Sequence, residues 1–281
     1  MTDTEPDPSS RPPRRGLSLL VRLGVVVLVV AVAGGAVLLL KAAVWPHERQ
    51  PAAAEVPADE IPAADVRPGA LAPAPVDSAA NPQAKQQPQA GEDPLRAWAG
   101  RLAGPTGVPA RALMAYGNAE LVMSDTDPGC HMSWATLAGI GRIESDHGQY
   151  GGATLRDDGR PSKPIVGVPL NGSTGVKSVS DTDGGRFDGD PRVDRAVGPM
   201  QFIPSTWARW AADANLDGIG DPQQIDDAAV AAARYLCAGG RDLAKPADWW
   251  AAVFSYNNSV PYGQKVFGLA DGYARAAMTH A

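Results

Sequence analysis

An uncharged apolar run, Leu23–Leu40 (LGVVVLVVAVAGGAVLLL), divides the chain before any other feature is weighed. Its 18 residues sit at the short end of the roughly 17–25 that span a bilayer as a helix. Arg11, Arg14, Arg15 and Arg22 precede it, and basic residues before a span favour an N-terminus held inside. The run therefore reads as a single-pass cell-membrane anchor at 23–40 behind a cytoplasmic tail at 1–22. The alternative is a cleaved secretion signal, with Ala31–Ala33 as its small-residue cleavage site. The run continues past that point to Leu40, which favours the anchor. On either reading the remainder leaves the cytoplasm.

Residues 41–93 are dense in Ala and Pro, with Gln and scattered charge, and no apolar period survives ten residues. Such a composition buries too little surface to offset ordering entropy, so it reads as a disordered stalk. The folded part is expected at 94–279, long enough for one proper core. Its two cysteines are Cys130 and Cys237. Outside the cytoplasm disulfides persist, which favours a Cys130–Cys237 bond over two free thiols. The net charge of −6 argues against nucleic acid as partner, because phosphate recognition needs a basic surface. The four histidines, at 47, 131, 147 and 280, fall at no metal-ligand spacing, which argues against zinc.

The folded part is mainly α by its periodicity. Apolar spacing predicts helices over 94–104, 109–124, 133–145, 204–213, 227–240, 247–258 and 262–278. Strand-like alternation is scarce. Residues 151–196 lack any period and are rich in Gly, Asp and Pro; loops of that length are usually functional or disordered.

The stretch GIGRIESDHGQYGG, Gly139–Gly152, holds one glutamate. Projected at 100° per residue, Glu144 falls between Leu137 and Ile140 on the apolar stripe, and Arg142 falls well off it. Desolvation and the negative end of the helix dipole would both disfavour its charge and raise its pKa. A general acid near neutrality needs that shift. The competing reading is an amphipathic-edge glutamate whose head reaches water, and projection alone does not choose between the two. His147, close by, reads as loop surface, and Tyr150 as either cleft or packing.

Three downstream stretches bear on that choice: GPMQFIPSTW (Gly198–Trp207), DANLDGIGDPQQIDDAAVAAARYL (Asp213–Leu236) and FSYNNS (Phe254–Ser259). With IESDHGQYGG, their order and spacing resemble the lytic murein transglycosylases of the membrane-bound B type, in the lysozyme-like superfamily. The resemblance covers most of 94–278. It implies a lysozyme-like helical catalytic domain that cleaves the MurNAc–GlcNAc β-1,4 bond of peptidoglycan strands without water and leaves 1,6-anhydro-MurNAc ends. It places Glu144 as the single catalytic glutamate, Gln201 and Ser205 on the sugar beside the scissile bond, and Tyr256 and Asn257 facing the glutamate.

The residues can be read chemically beside it. Most glycosidases use two carboxylates. No second one lies in the Glu144 motif, although the acidic loop at 181–194 could supply one. One glutamate suffices if the substrate brings its own nucleophiles, an N-acetyl oxygen and then a C6 hydroxyl. Glu144 would act first as acid, then as base. No cofactor is needed for that chemistry.

A structural calcium ion is the one ligand the sequence suggests beyond the polymer. Asp213, Asn215 and Asp217 stand at positions one, three and five of an EF-hand-like loop, with the Ile219 carbonyl at seven. Gln224 replaces the usual closing Glu, and the resemblance moves that role to Asp227. The competing reading is an acidic turn whose Asp226 or Asp227 caps the next helix. The segment 181–190 reads as a solvated loop that could also take a cation. Trp134, Trp207, Trp210, Trp249 and Trp250 read as core rather than sugar platforms. Two other functions stay open: a muramidase that uses water, and a non-catalytic, calcium-dependent wall-binding module. No protein partner is legible.

Overall fold

The computed structural model describes residues 60–76, 93–173 and 177–280. The expected tail and anchor lie outside the described residues. Among the described residues no helix is long and apolar enough to cross a membrane.

Among the described residues seven α-helices form the body: α1 (Pro94–Thr106), α2 (Ala110–Thr126), α3 (Trp134–Ser145), α4 (Pro204–Trp210), α5 (Ile225–Cys237), α6 (Pro246–Tyr256) and α7 (Val260–His280). All lie where apolar spacing predicts them. Side-chain caps set several of the starts. The Asp93 carboxylate accepts from Leu95 N at 3.0 Å, Ser133 Oγ accepts from Ala135 N at 3.2 Å, and Gln224 accepts from Asp226 N. Pro94, Pro204 and Pro246 occupy first-turn positions, where the missing N–H costs nothing.

Helix α3 is the buried centre, packed chiefly on α7 and α2. Of its 12 residues only Arg142 and Glu144 are not buried. A helix apolar on nearly every side belongs inside a core. Gly141 is one reason it fits there: a Cβ at that position would stand 2.1 Å from Tyr116 Oη. Burial of Leu137, Ile140 and Leu113 contributes about 1.5–3 kcal/mol each. Trp134, Trp207, Trp249 and Trp250 are buried, as core tryptophans should be; Trp210 is half-buried, its ring against Tyr235.

Cys130, in the short turn Pro128–Cys130, is bonded to Cys237 at the end of α5, with Cα atoms 5.5 Å apart across 107 residues. Closing a loop of that size is worth about 4–5 kcal/mol in the chain-entropy account.

Two segments differ from expectation. The first is the long loop. Its described part folds, with β1 (Val166–Pro169) pairing antiparallel to β2 (Arg195–Val197) and further bridges at Leu155–Pro161 and Ser180–Val193. Strands of three and four residues are too short for a period to show. The second is residues 60–76, expected as stalk. They run as a strap against the helices. Ile61 is buried, Gln264 Nε2 donates to Val66 O at 3.0 Å, Trp250 Nε1 donates to Leu71 O at 2.9 Å, and Ala74 N donates to Asp271 Oδ1 at 2.9 Å. Proline has already surrendered φ freedom, so ordering such a segment costs less than composition suggests.

Candidate active site

Glu144 is the penultimate residue of α3. The helix stops at once because Asp146 and His147 both take left-handed backbone, φ 51° and 58°, ahead of Gly148. Asp146 N reaches back to Arg142 O at 3.1 Å and His147 N to Gly141 O at 2.9 Å, which satisfies late helix carbonyls. This double turn corrects the reading of His147 as surface. The residue is 2 % exposed, with Nδ1 3.1 Å from Tyr116 Oη and its ring centroid 6.3 Å from that of Tyr273. Burial, then the nearby Arg142 charge, pushes its pKa down to about 3, so it is neutral at physiological pH and serves as packing.

The glutamate carboxyl is half-buried at the residue level and receives one hydrogen bond, from Tyr262 Oη to Oε1 at 2.6 Å. Burial raises its pKa to about 7, against the lowering effect of the Tyr262 hydroxyl. Neither influence is a second carboxylate. Tyr256 and Tyr262 are both pushed well above the usual tyrosine range, first by burial and next by the Glu144 charge. Glu144, Tyr256 and Tyr262 therefore share one electrostatic neighbourhood, drawn from α3, α6 and α7. Tyr262 is absent from the expected site. Its pairing with Glu144 spans 118 residues, and no period reports such a contact. The available signal was a tyrosine in the first turn of the helix after the Tyr256–Asn257 pair.

The other expected residues are placed as follows. Gln201 lies in the turn between β2 and α4, with φ 48° and its Nε2 on Gly198 O at 2.9 Å. Ser205 is exposed in the first turn of α4, and Asn257 is exposed as the C-cap of α6. Tyr256 Oη donates to Met200 O at 2.6 Å, so its hydroxyl is committed to protein. Tyr150 is half-buried in a single turn after Glu144.

The acids of the 181–194 loop are engaged largely with the loop's own backbone and arginines. Asp181 accepts from Gly184 N at 2.9 Å, Asp183 from Phe187 N at 2.8 Å, and buried Asp194 from Thr182 N at 2.8 Å. Oxygens of Asp181, Asp183 and Asp194 lie within 4.8 Å of one another, close enough to hold a cation. In the 213–227 loop the Asp213 carboxylate accepts from Asp217 N at 3.1 Å and Gly218 N at 2.9 Å. Asp227 is fully buried; it accepts from Ala214 N at 2.7 Å, Asn215 N at 3.3 Å and Asp221 N at 3.0 Å.

A cavity of about 560 Å³ opens between strap residues Pro73–Val76 and Glu120, Thr136 and Trp249. It adjoins the first turn of α3 at Thr136, roughly 12 Å along the helix from Glu144 at 1.5 Å per residue, so it is not the site described above.

Residues 194–253 match the family described as Transglycosylase SLT domain. No curated protein and no solved structure matches the chain. The match supports a lytic transglycosylase domain of lysozyme-like type, in keeping with the helical architecture. It spans Gln201, Ser205 and the 213–227 loop; Glu144 lies before it and Tyr256 after it.

Proposed function

We propose that this protein is a peptidoglycan lytic transglycosylase of the membrane-bound B type, with Glu144 as its only catalytic carboxyl. The single observation carrying the reading is a lone glutamate whose pKa stands at about 7, at the end of a buried helix and beside two tyrosines. A transglycosylase SLT domain implies peptidoglycan as the polymer acted on.

Near neutrality a substantial share of Glu144 is protonated, as a general acid requires. It gives that proton to the glycosidic oxygen leaving with GlcNAc. The MurNAc N-acetyl oxygen stabilises the positive charge growing at C1. The carboxylate so formed, held by Tyr262, then removes the C6 hydroxyl proton while that oxygen closes on C1. The glycosidic bond breaks, a C6–O–C1 bond forms, and Glu144 regains its proton. The product ends in 1,6-anhydro-MurNAc. Gln201, Ser205 and Asn257 serve as polar contacts to the sugars, and Tyr256 presents its ring. Fixed donors aimed at developing charge carry much of such rate gains.

Two accessory readings accompany this one. The Cys130–Cys237 bond supports an oxidising compartment, in line with export behind the 23–40 run. A calcium ion in the 213–227 loop would be held by Asp213, Asn215, Asp217 and the Ile219 carbonyl, whereas both Asp227 oxygens already accept backbone N–H groups. Its role would be structural, and a chelator that leaves Tm unchanged would remove it.

The test is mass spectrometry of muropeptides released from purified sacculi by the protein and by Glu144→Gln. Anhydro ends that resist borohydride, lost in the variant, are expected. Reducible ends would make it a water-using muramidase, and unchanged release by the variant would remove Glu144 from the chemistry.

A further inference from the structure

The turn that carries Gln201 is held in an unusual way. Val197 and Phe202 exchange both backbone hydrogen bonds at 2.9 Å, closing a tight hairpin. Gly198 is pressed against the neighbouring loop so closely that a Cβ would stand 1.7 Å from Pro222 O. Between them Gln201 holds φ 48°, a left-handed conformation that a residue other than glycine keeps only where its surroundings dictate it. The two carbonyls before Gln201 are each taken by a hydroxyl from a different helix. Ser145 Oγ donates to Pro199 O at 2.5 Å. Tyr256 Oη donates to Met200 O at 2.6 Å.

Neither hydroxyl is free to turn elsewhere. Ser145 is fully buried and its oxygen already accepts from Gly148 N at 2.7 Å, which leaves its proton for Pro199 O. The Tyr256 ring is wedged against Phe202 and Tyr235, with centroids 6.1 and 5.7 Å away. The two residues also sit next to site residues along the chain, Ser145 beside Glu144 and Tyr256 beside Asn257.

We infer that Ser145 and Tyr256 are positioning residues: a pair of hydroxyls that grips consecutive carbonyls of one turn and fixes Gln201 in register with Glu144 on one side and Asn257 on the other. The inference rests on the transglycosylase reading, and it gives Ser145 and the Tyr256 hydroxyl a role through Gln201 rather than on the sugar.

A mutant cycle tests it. Tyr256→Phe and Ser145→Ala are made in the full chain, alone and combined with Gln201→Ala, beside Glu144→Gln. Each variant's fold is checked by circular dichroism, and kcat and KM are measured on soluble glycan strands. Tyr256→Phe is expected to lower kcat/KM about tenfold or more, and to cost less than about twofold once Gln201 is already alanine, since groups acting through one another are not additive. Ser145→Ala should follow the same pattern; if it fails to fold, Tyr256→Phe decides alone. A full, undiminished loss in the Gln201→Ala background would overturn the inference, as would a Tyr256→Phe enzyme within twofold of the parent. Release by Glu144→Gln within twofold of the parent would instead strike the transglycosylase reading, so the two failures are distinct.

Discussion

Glu144 and Asp227 are both carboxyls withdrawn from water, and they end in opposite chemical situations. Asp227 has three backbone N–H donors around it; Glu144 has one tyrosine hydroxyl. Burial pushes both pKa values up, but at Asp227 the three donors pull against it, whereas Glu144 reaches about 7. Donors to the charged form oppose the burial penalty on a carboxylate, and Glu144 has fewer of them than Asp227. The first arrangement builds a loop. The second stores a proton where a glycosidic oxygen can take it.

Breaking each side should give different losses. Glu144→Gln keeps the shape and removes the proton, so muropeptide release should fall by about 10²–10⁴-fold with the fold intact by circular dichroism. Asp227→Ala strands three N–H groups, and urea denaturation should show a loss of about 2–4 kcal/mol. A stability loss from Glu144→Gln at pH 5 as large as that from Asp227→Ala would blur the distinction.

The pH dependence of stability sharpens the contrast. Glu144 holds its proton up to about pH 7 in the fold and to about 4.5 when unfolded. The folded state therefore binds more protons between those values. Stability from this group is fully present below 4.5 and is lost as pH rises through 7. Denaturation at pH 5 and pH 8 should show Glu144→Gln gaining up to about 3 kcal/mol on the parent at the higher pH. Tyr262→Phe is the finer probe. It removes the only influence lowering the Glu144 pKa, so the alkaline limb of the pH–rate profile should move to higher pH. Movement to lower pH would mean that Tyr262 does not donate to the carboxylate. The smallest effect is expected at the strap, where Ala74→Pro deletes the N–H given to Asp271 and should cost about 1 kcal/mol in thermal or urea unfolding.

How much of this was legible beforehand follows from the range of each interaction. The helices were legible because apolar spacing repeats within each of them, and Glu144 was legible because it interrupts the apolar stripe of α3. The Tyr262 hydroxyl, the Ser145 and Tyr256 grips, and the Gly141–Tyr116 contact join residues far apart in the chain, and no local pattern encodes them. Composition misjudged 60–76 because it counts apolar side chains and ignores backbone carbonyls. Leu71 and Val66 are held through those carbonyls by Trp250 and Gln264. His147 was misjudged because a histidine among glycines looks like loop surface, whereas two successive left-handed residues turn it inward.

Burial with a single donor keeps Glu144 protonated near neutrality. Carbon-13 NMR of the glutamate side-chain carboxyls, titrated in the protein and in Glu144→Gln to assign the signal, measures that directly. A midpoint near 7 is expected for Glu144. A midpoint between 4 and 5, the range of a solvated glutamate, would contradict it.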